Sequence, residues 1–211
     1  MATKPQVRSA FATPMCIHFL PVAAEVNAEL KPLVVERMAA GDPPTERELG
    51  WRSHTDFEVW GGTPAQTLFR VFKELANSMT ATRAGGRVDL AWRIRASASV
   101  RSKGEHSEIR VRPGAFWSGI YYVDDGYAKS DDPALGGEFV MTDPRGALPA
   151  MIAPDLAFRV PGGLTAGLSE TVRPQAGMVV LFPSWMPCGE RRYDGAAQRM
   201  TIEFDVAPPA A

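Results

Sequence analysis

The sequence predicts a mostly β protein, a sandwich or jelly roll with helices on one face. Three observations predict it. Two stretches with helical spacing lie before residue 86, and seven or so short strand-like stretches follow it. Those later stretches alternate or run apolar for a few residues, then stop at Pro or Gly. The chain also carries 19 Gly and 18 Pro, which suits many short strands joined by turns. At 211 residues the simplest organisation is one domain spanning 1–211. About residues 14–85 would supply a strand and helices packed on a β core of about 86–207.

Taken in order, "PMCIHFLP" (14–21) predicts a short strand bounded by prolines. In 23–41, Val26, Leu30, Leu33, Val34 and Met38 recur at helical spacing. Pro32 inside that pattern predicts a late start or a kink. Residues 42–62 read mostly as loop. The clearest helix is 63–86: Thr63 and Gln66 form a capping box, Pro64 takes the first turn, and Gly85-Gly86 ends it. Its apolar stripe is Ala65, Leu68, Phe69, Phe72, Leu75 and Met79. Strands are then expected at 87–100, 107–112, 115–123, 137–143, 168–174, 177–183 and 199–206, with a frayed Ala/Pro end.

Composition narrows the function classes. The net charge of −1 and a pI near 6.3 give no nucleic-acid footprint. Two cysteines, Cys16 and Cys188, are too few for a disulfide framework. The N-terminal stretch is broken by Pro14, His18 and Pro21, so it predicts neither a signal peptide nor a membrane segment. A cytoplasmic protein is expected. A homo-oligomer is compatible with the composition and not derivable from it.

The common catalytic constellations are missing: there is no phosphate loop, no CxxC pair and no G-x-S-x-G elbow. The three histidines are His18, His54 and His106, and none follows position 106. His18 and His54 have no partner at ligand spacing and read as structural. "HSE" (His106, Ser107, Glu108) has the form of two ligands on one strand face, but it lacks a downstream histidine. Glu108 reads better as paired near an exposed strand start. The stretch "SEIRVRPGAFWSGIYYV" (107–123) raises a sharper question, because Arg110 and Arg112 share a strand face if the strand is regular. An E-x-R-x-R strand is commonly solvent-facing and paired across to carboxylates. Tyr121 and Tyr122 fit core packing, Trp117 and Trp185 fit packing of the barrel, and "TDPRG" with Asp143 and Arg145 reads first as a turn.

The order of four pieces adds to this reading: "RPGAFWSGIYYVDDG", "GGEFVMTDPRG", "AGMVVLFPSWMPCGE" and "RMTIEFDV". Together they resemble the small bacterial and phage branch of 2-oxoglutarate/Fe(II)-dependent oxygenases. There the pattern runs N-x-x-H-x-H-P-G, S-G-V-Y-Y-V, D-P-R, G-x-x-x-x-F-P-S-W-L-x-H, then an Arg eleven residues on. The resemblance covers about 14–207, with "GWRSHTDF" a weaker match to a G-W-H-S loop. It implies a double-stranded β-helix, a cupin-like jelly roll. It also implies Fe(II) that activates O₂, with 2-oxoglutarate as cosubstrate of a hydroxylation.

Carried across residue by residue, the resemblance puts the three iron-ligand positions on Arg110, Arg112 and Cys188. Arginine offers no lone pair to a metal, and one thiolate does not make a facial triad, so Fe(II) is disfavoured. Arg199 falls on the family's 2-oxoglutarate arginine, and Tyr122 where superfamily members donate to the same carboxylate. The implied interior then holds Arg110, Arg112, Arg199 and Tyr122, a site for 2-oxoglutarate or another small anion, with no catalytic residue assigned. Three functions stay open: an oxygenase with non-standard ligands, a metal-free anion-binding relative, and a pseudoenzyme scaffold with a vestigial pocket. Arginines tied up by internal carboxylates would mark the last. Cys188 reads either as a small buried residue or as a thiol made reactive by nearby arginines.

Overall fold

A computed structural model describes residues 6–8, 10–41, 49–146, 151–156, 158 and 167–209. The element order is β1 (Cys16–Phe19), α1 (Ala23–Ala39), β2 (Trp51–Arg52), α2 (Phe57–Trp60), α3 (Gly62–Met79), β3 (Arg93–Arg101), β4 (Ser107–Arg110), β5 (Trp117–Asp124), β6 (Phe139–Thr142), β7 (Ser169–Val172), β8 (Met178–Pro183), β9 (Cys188–Glu190) and β10 (Arg199–Ala207). A six-stranded sheet in the order β1-β8-β5-β10-β3-β2 faces a four-stranded sheet in the order β4-β9-β6-β7. The paired strands are antiparallel throughout, and the two sheets form a double-stranded β-helix. Among the described residues no helix is long and apolar enough to cross a membrane.

The period-two alternation of β10 sets the two faces of the large sheet. Met200, Ile202, Phe204 and Val206 join the cluster under the helices, with Leu68, Phe72 and Ala76 of α3 and Val26, Leu30 and Val34 of α1. Phe72 stacks on Phe204 with centroids 3.6 Å apart and planes 7° from parallel. Gly119 on β5 lies beneath this stack, and a Cβ there would run into the Phe204 ring and the Val180 carbonyl. The opposite face of β10, carrying Arg199, Thr201, Glu203 and Asp205, turns toward the small sheet. There Ile120, Tyr122, Phe139, Met178, Val180 and Phe182 form a second apolar cluster.

Several local expectations change. α1 begins at Ala23 as the pattern asks and keeps Pro32 inside it. Pro32 and Ala28, whose carbonyl loses its partner, both lie on the exposed face, where water can satisfy the carbonyl. The capping box does not form: Gly61 is the N-cap of α3, without a side-chain cap, so Thr63 is already inside the helix. α3 ends at Met79, well before Gly85. Thr80 turns extended and its hydroxyl donates to the Ala76 carbonyl, while Asn77 Oδ1 accepts from Leu90 N and Trp92 Nε1. Strand β3 starts at Arg93 rather than 87, because Ala81 and Arg87 pair locally around a turn. In the expected 42–62 loop, residues 49–62 contain β2, α2 and the start of α3, and 42–48 lie outside the described residues. The short strand β9 was not expected.

Candidate functional site

The charged side chains converge between the two sheets. β10 supplies Arg199, Glu203 and Asp205, β3 supplies Arg101, β9 supplies Glu190, and β2 supplies Arg52. Arg110 closes β4, and Arg112 follows in the loop, where its backbone N–H donates to the Ser184 carbonyl at 2.9 Å. The strand thus stops before period-two alternation can place Arg112. Both arginines nevertheless reach the same carboxylate.

That carboxylate is Glu203. Its Oε2 accepts from Arg112 Nη2 at 2.7 Å and lies 3.4 Å from Arg52 Nη2 and 3.6 Å from Arg110 Nη2. Its Oε1 accepts from Arg101 Nη2 at 3.4 Å. Burial alone would raise the Glu203 pKa. The guanidiniums of Arg52, Arg112, Arg101 and Arg110 overrule burial and hold the carboxyl well below the usual range. Burial works against the charge on Arg112 in turn, and Glu203 and Asp205 more than offset it. Asp205 stands 3.9 Å from Arg112 Nη1 and accepts from the Ser118 hydroxyl at 2.7 Å.

Glu190 is the second centre. Its Oε2 accepts from Arg101 Nε at 2.8 Å. Its Oε1 accepts from the Tyr122 hydroxyl at 3.1 Å and lies 3.8 Å from Arg199 Nη1. Its backbone N–H donates to Ser107 Oγ at 2.8 Å, which anchors the strand that carries it. Burial first, and the Glu190 charge second, push the Tyr122 phenol well above its ordinary pKa, so Tyr122 acts as a donor. Arg101 touches both glutamates and joins the two centres into one cluster.

Arg199 is completely buried. Its Nε donates to the Asp125 carbonyl at 2.9 Å and its Nη1 to the Gly137 carbonyl. The guanidinium lies over the rings of Tyr193 and Tyr127, 4.5 and 4.9 Å from their centroids. Gly137 has φ +75°, and a Cβ there would stand 2.5 Å from Nη1, so the glycine makes room for the arginine. Arg199 Nη2 is buried without a hydrogen-bond partner, as is Arg112 Nε.

Cys188 pairs in register with Arg110 across β4 and β9. Burial pushes its thiol up to about 11 against the pull of Arg112 and Arg110, which favours the small buried residue over the alternative of a thiol activated by the arginines. Glu108 is exposed. Trp117 is buried under the helices, whereas Trp185 is 53% exposed and does not pack the barrel. Tyr121 is core, with its hydroxyl donating to Asn27. Asp143 and Arg145 form a local turn pair that also accepts the Gly167 N–H.

Of the four residues expected inside, Tyr122 and Arg199 are fully buried, Arg112 is largely buried, and the Arg110 side chain is 37% exposed; they fall in two pairs. Arg110 and Arg112 meet at Glu203, and Tyr122 and Arg199 meet at Glu190. Sequence reasoning missed both glutamates, Arg101 and Arg52. A signal for Glu203 existed, since it shares a β10 face with Arg199 by period two. The residues do not suit a divalent cation: two of the three aligned ligand positions are guanidiniums, and the third is a protonated thiol. Among the described residues no group of three or more His, Cys, Asp and Glu is arranged to hold a metal.

Comparison with known proteins bears on the fold and lineage. The family model described as "Putative 2OG-Fe(II) oxygenase" matches residues 97–205. A prolyl-4-hydroxylase from Pseudomonas putida is similar over 94% of this chain and 93% of its own, at 16% identity and a TM-score of 0.63. A prolyl hydroxylase from Trichoplax adhaerens, solved with a hypoxia inducible factor peptide fragment, is similar over 92% and 83%, at 12% identity and a TM-score of 0.61. AviO1 from Streptomyces viridochromogenes Tue57 is similar over 94% and 91%, at 15% identity and a TM-score of 0.60. No curated protein sequence matches the chain.

Proposed function

This chain belongs to the 2OG-Fe(II) oxygenase family, and from that premise we propose that it is a member with a degenerate iron site, using its barrel as a binding or interaction scaffold rather than as an oxidant. The observation that carries the reading is the seat of Glu203. Its buried carboxylate lies among the guanidiniums of Arg52, Arg101, Arg110 and Arg112, two of which stand at the aligned ligand positions. In the family pattern these positions carry histidines, the expected ligands of a divalent iron. Here the cation's place is taken by fixed guanidiniums, and the negative charge is supplied by the chain itself. A buried guanidinium cannot shed its proton to make way for a metal, and adding a dication beside it would be repulsive in a medium that screens poorly.

A second reading is small-anion binding by the same interior arginines, with 2-oxoglutarate or another carboxylate as the candidate. It is favoured by Arg199 Nη2 and Arg112 Nε, two buried donor atoms without hydrogen-bond partners. Succinate release from 2-oxoglutarate under Fe(II), ascorbate and O₂ tests the first reading. The expected result is no release above a protein-free control. Release that depends on protein and Fe(II) would restore the oxygenase reading with unassigned ligands.

A further inference from the structure

We infer that Arg101, Tyr122 and Arg199 form a built receptor for a single carboxylate, and that Glu190 is its resident, intramolecular ligand. The inference rests on the scaffold reading, in which the chain satisfies its own interior arginines. Both oxygens of Glu190 are engaged by different donors: Oε2 by Arg101 Nε at 2.8 Å, Oε1 by Tyr122 at 3.1 Å with Arg199 Nη1 at 3.8 Å. This is the arrangement of a bound acid, two cationic groups and a neutral hydroxyl around one carboxylate. The donors are held independently of their ligand. Arg199 is fixed by the Asp125 and Gly137 carbonyls and by the Tyr127 and Tyr193 rings, and Arg101 by Glu203 and the Leu49 carbonyl. Tyr122 is fully buried between Ile120, Phe139 and Val180, members of one apolar cluster. A second observation points the same way. Arg199 Nη2 is buried and lacks a partner, so Glu190 uses less than the donor capacity around it.

The ligand class follows from size. Glu190 is 4% exposed, so truncating it to alanine leaves a buried cavity about the size of acetate or formate, lined by positive charge. Such a cavity is polar and selects a small monocarboxylate over a hydrated halide, because only the carboxylate offers two oxygens at the spacing of these donors. In the wild-type chain the receptor is closed to external acids by its own side chain.

The test compares wild type, Glu190→Ala and Glu190→Ala/Tyr122→Phe by thermal unfolding in acetate, formate or chloride at matched ionic strength. Glu190→Ala is expected to unfold at lower temperature than wild type. Acetate or formate, and not chloride, is expected to raise its midpoint saturably, by about 3–6 °C near saturation. The wild type is expected to show no carboxylate-specific rise, and the double variant a smaller one than Glu190→Ala. A folded Glu190→Ala with the same midpoint in all three salts overturns the receptor. Should Glu190→Ala not fold in chloride, refolding it in acetate decides the point: native near-ultraviolet signal recovered only in acetate supports the receptor, and equal failure in both salts overturns it. Protein-dependent succinate release by the wild type would defeat the scaffold reading alone, whatever the acetate result.

Discussion

The Glu203 carboxylate accepts a 2.7 Å hydrogen bond from Arg112, and Arg112 stands at a position where the family pattern places an iron ligand. On the reading proposed above, an arginine in that position puts a positive group with its own counter-ion where the resemblance expects a metal. Glu203 reaches it from β10, four strand positions from Arg199, the β10 residue on its own face that the family pattern names, and one turn of the alternation beyond Thr201.

Breaking this pair is expected to be costly. Glu203→Gln keeps the side-chain shape, removes the charge, and strands Arg101 and Arg112, whose side chains are 3% and 11% exposed. A loss of about 3–5 kcal/mol is expected, the range for removing one partner of a buried ion pair. Asp205→Asn, at 3.9 Å and with a side chain 28% exposed, is expected to cost less than about 1 kcal/mol. Urea unfolding checks both, as shifts of midpoint at constant slope.

Acid stability carries a second signature. The hydrogen bond from Arg145, helped by the Gly167 N–H and opposed by burial, pulls the Asp143 carboxyl down to about 2. A depressed folded pKa stabilises the fold fully above the unfolded value of about 4 and loses that contribution as pH falls through the folded value. Urea midpoints are therefore expected to decline between about pH 4 and pH 2. Asp143→Asn is expected to flatten part of that decline while leaving the Glu203 contribution, which has the same sign and is lost further down. An unchanged slope in the variant would contradict the Asp143 assignment.

Thiol labelling separates the two cysteines. Cys188 is buried with its thiol raised to about 11, whereas Cys16 is only partly buried. One thiol per chain is expected to react with a disulfide reagent in the native state at neutral pH, and the second only after denaturation. Cys16→Ser is expected to abolish the native reaction and Cys188→Ser to leave it.

Replacing the three aligned positions together, as Arg110→His/Arg112→Asp/Cys188→His, tests whether they share one site. Arg110 and Cys188 are register partners, and Arg110 and Arg112 both reach Glu203. Measurable Mn(II) affinity is expected by calorimetry, absent from the wild type. A folded variant without it would show that these positions do not converge as a ligand set.

How much of this was legible in the sequence varies with the range of the interaction. The β strands after residue 93, apart from the three-residue β9, were visible because each carries its own alternation and turn punctuation. The end of α3 was not, because it is set by Asn77 contacting Leu90 and Trp92, more than ten residues away. Arg110, Arg112, Arg199 and Tyr122 were found because a family pattern marks those positions. Their carboxylate partners were not: Glu203 shares a β10 face with Arg199, but the arginines it meets come from β2, β3 and the loop after β4, and Glu190 sits on the unforeseen β9, where it meets Arg101 from far along the chain. This matters here, since the glutamates decide whether the arginines face a ligand or face the chain.

The most direct measurement of the central claim is anaerobic calorimetry of the metal-stripped wild-type protein with 2-oxoglutarate, with and without Mn(II). If Glu203 and Glu190 already satisfy the interior arginines, neither the acid nor the metal gives saturable heat, and the pair together gives none. Tight binding of 2-oxoglutarate that requires Mn(II) would contradict the account outright. Metal-independent binding would transfer the protein to the anion-binding reading.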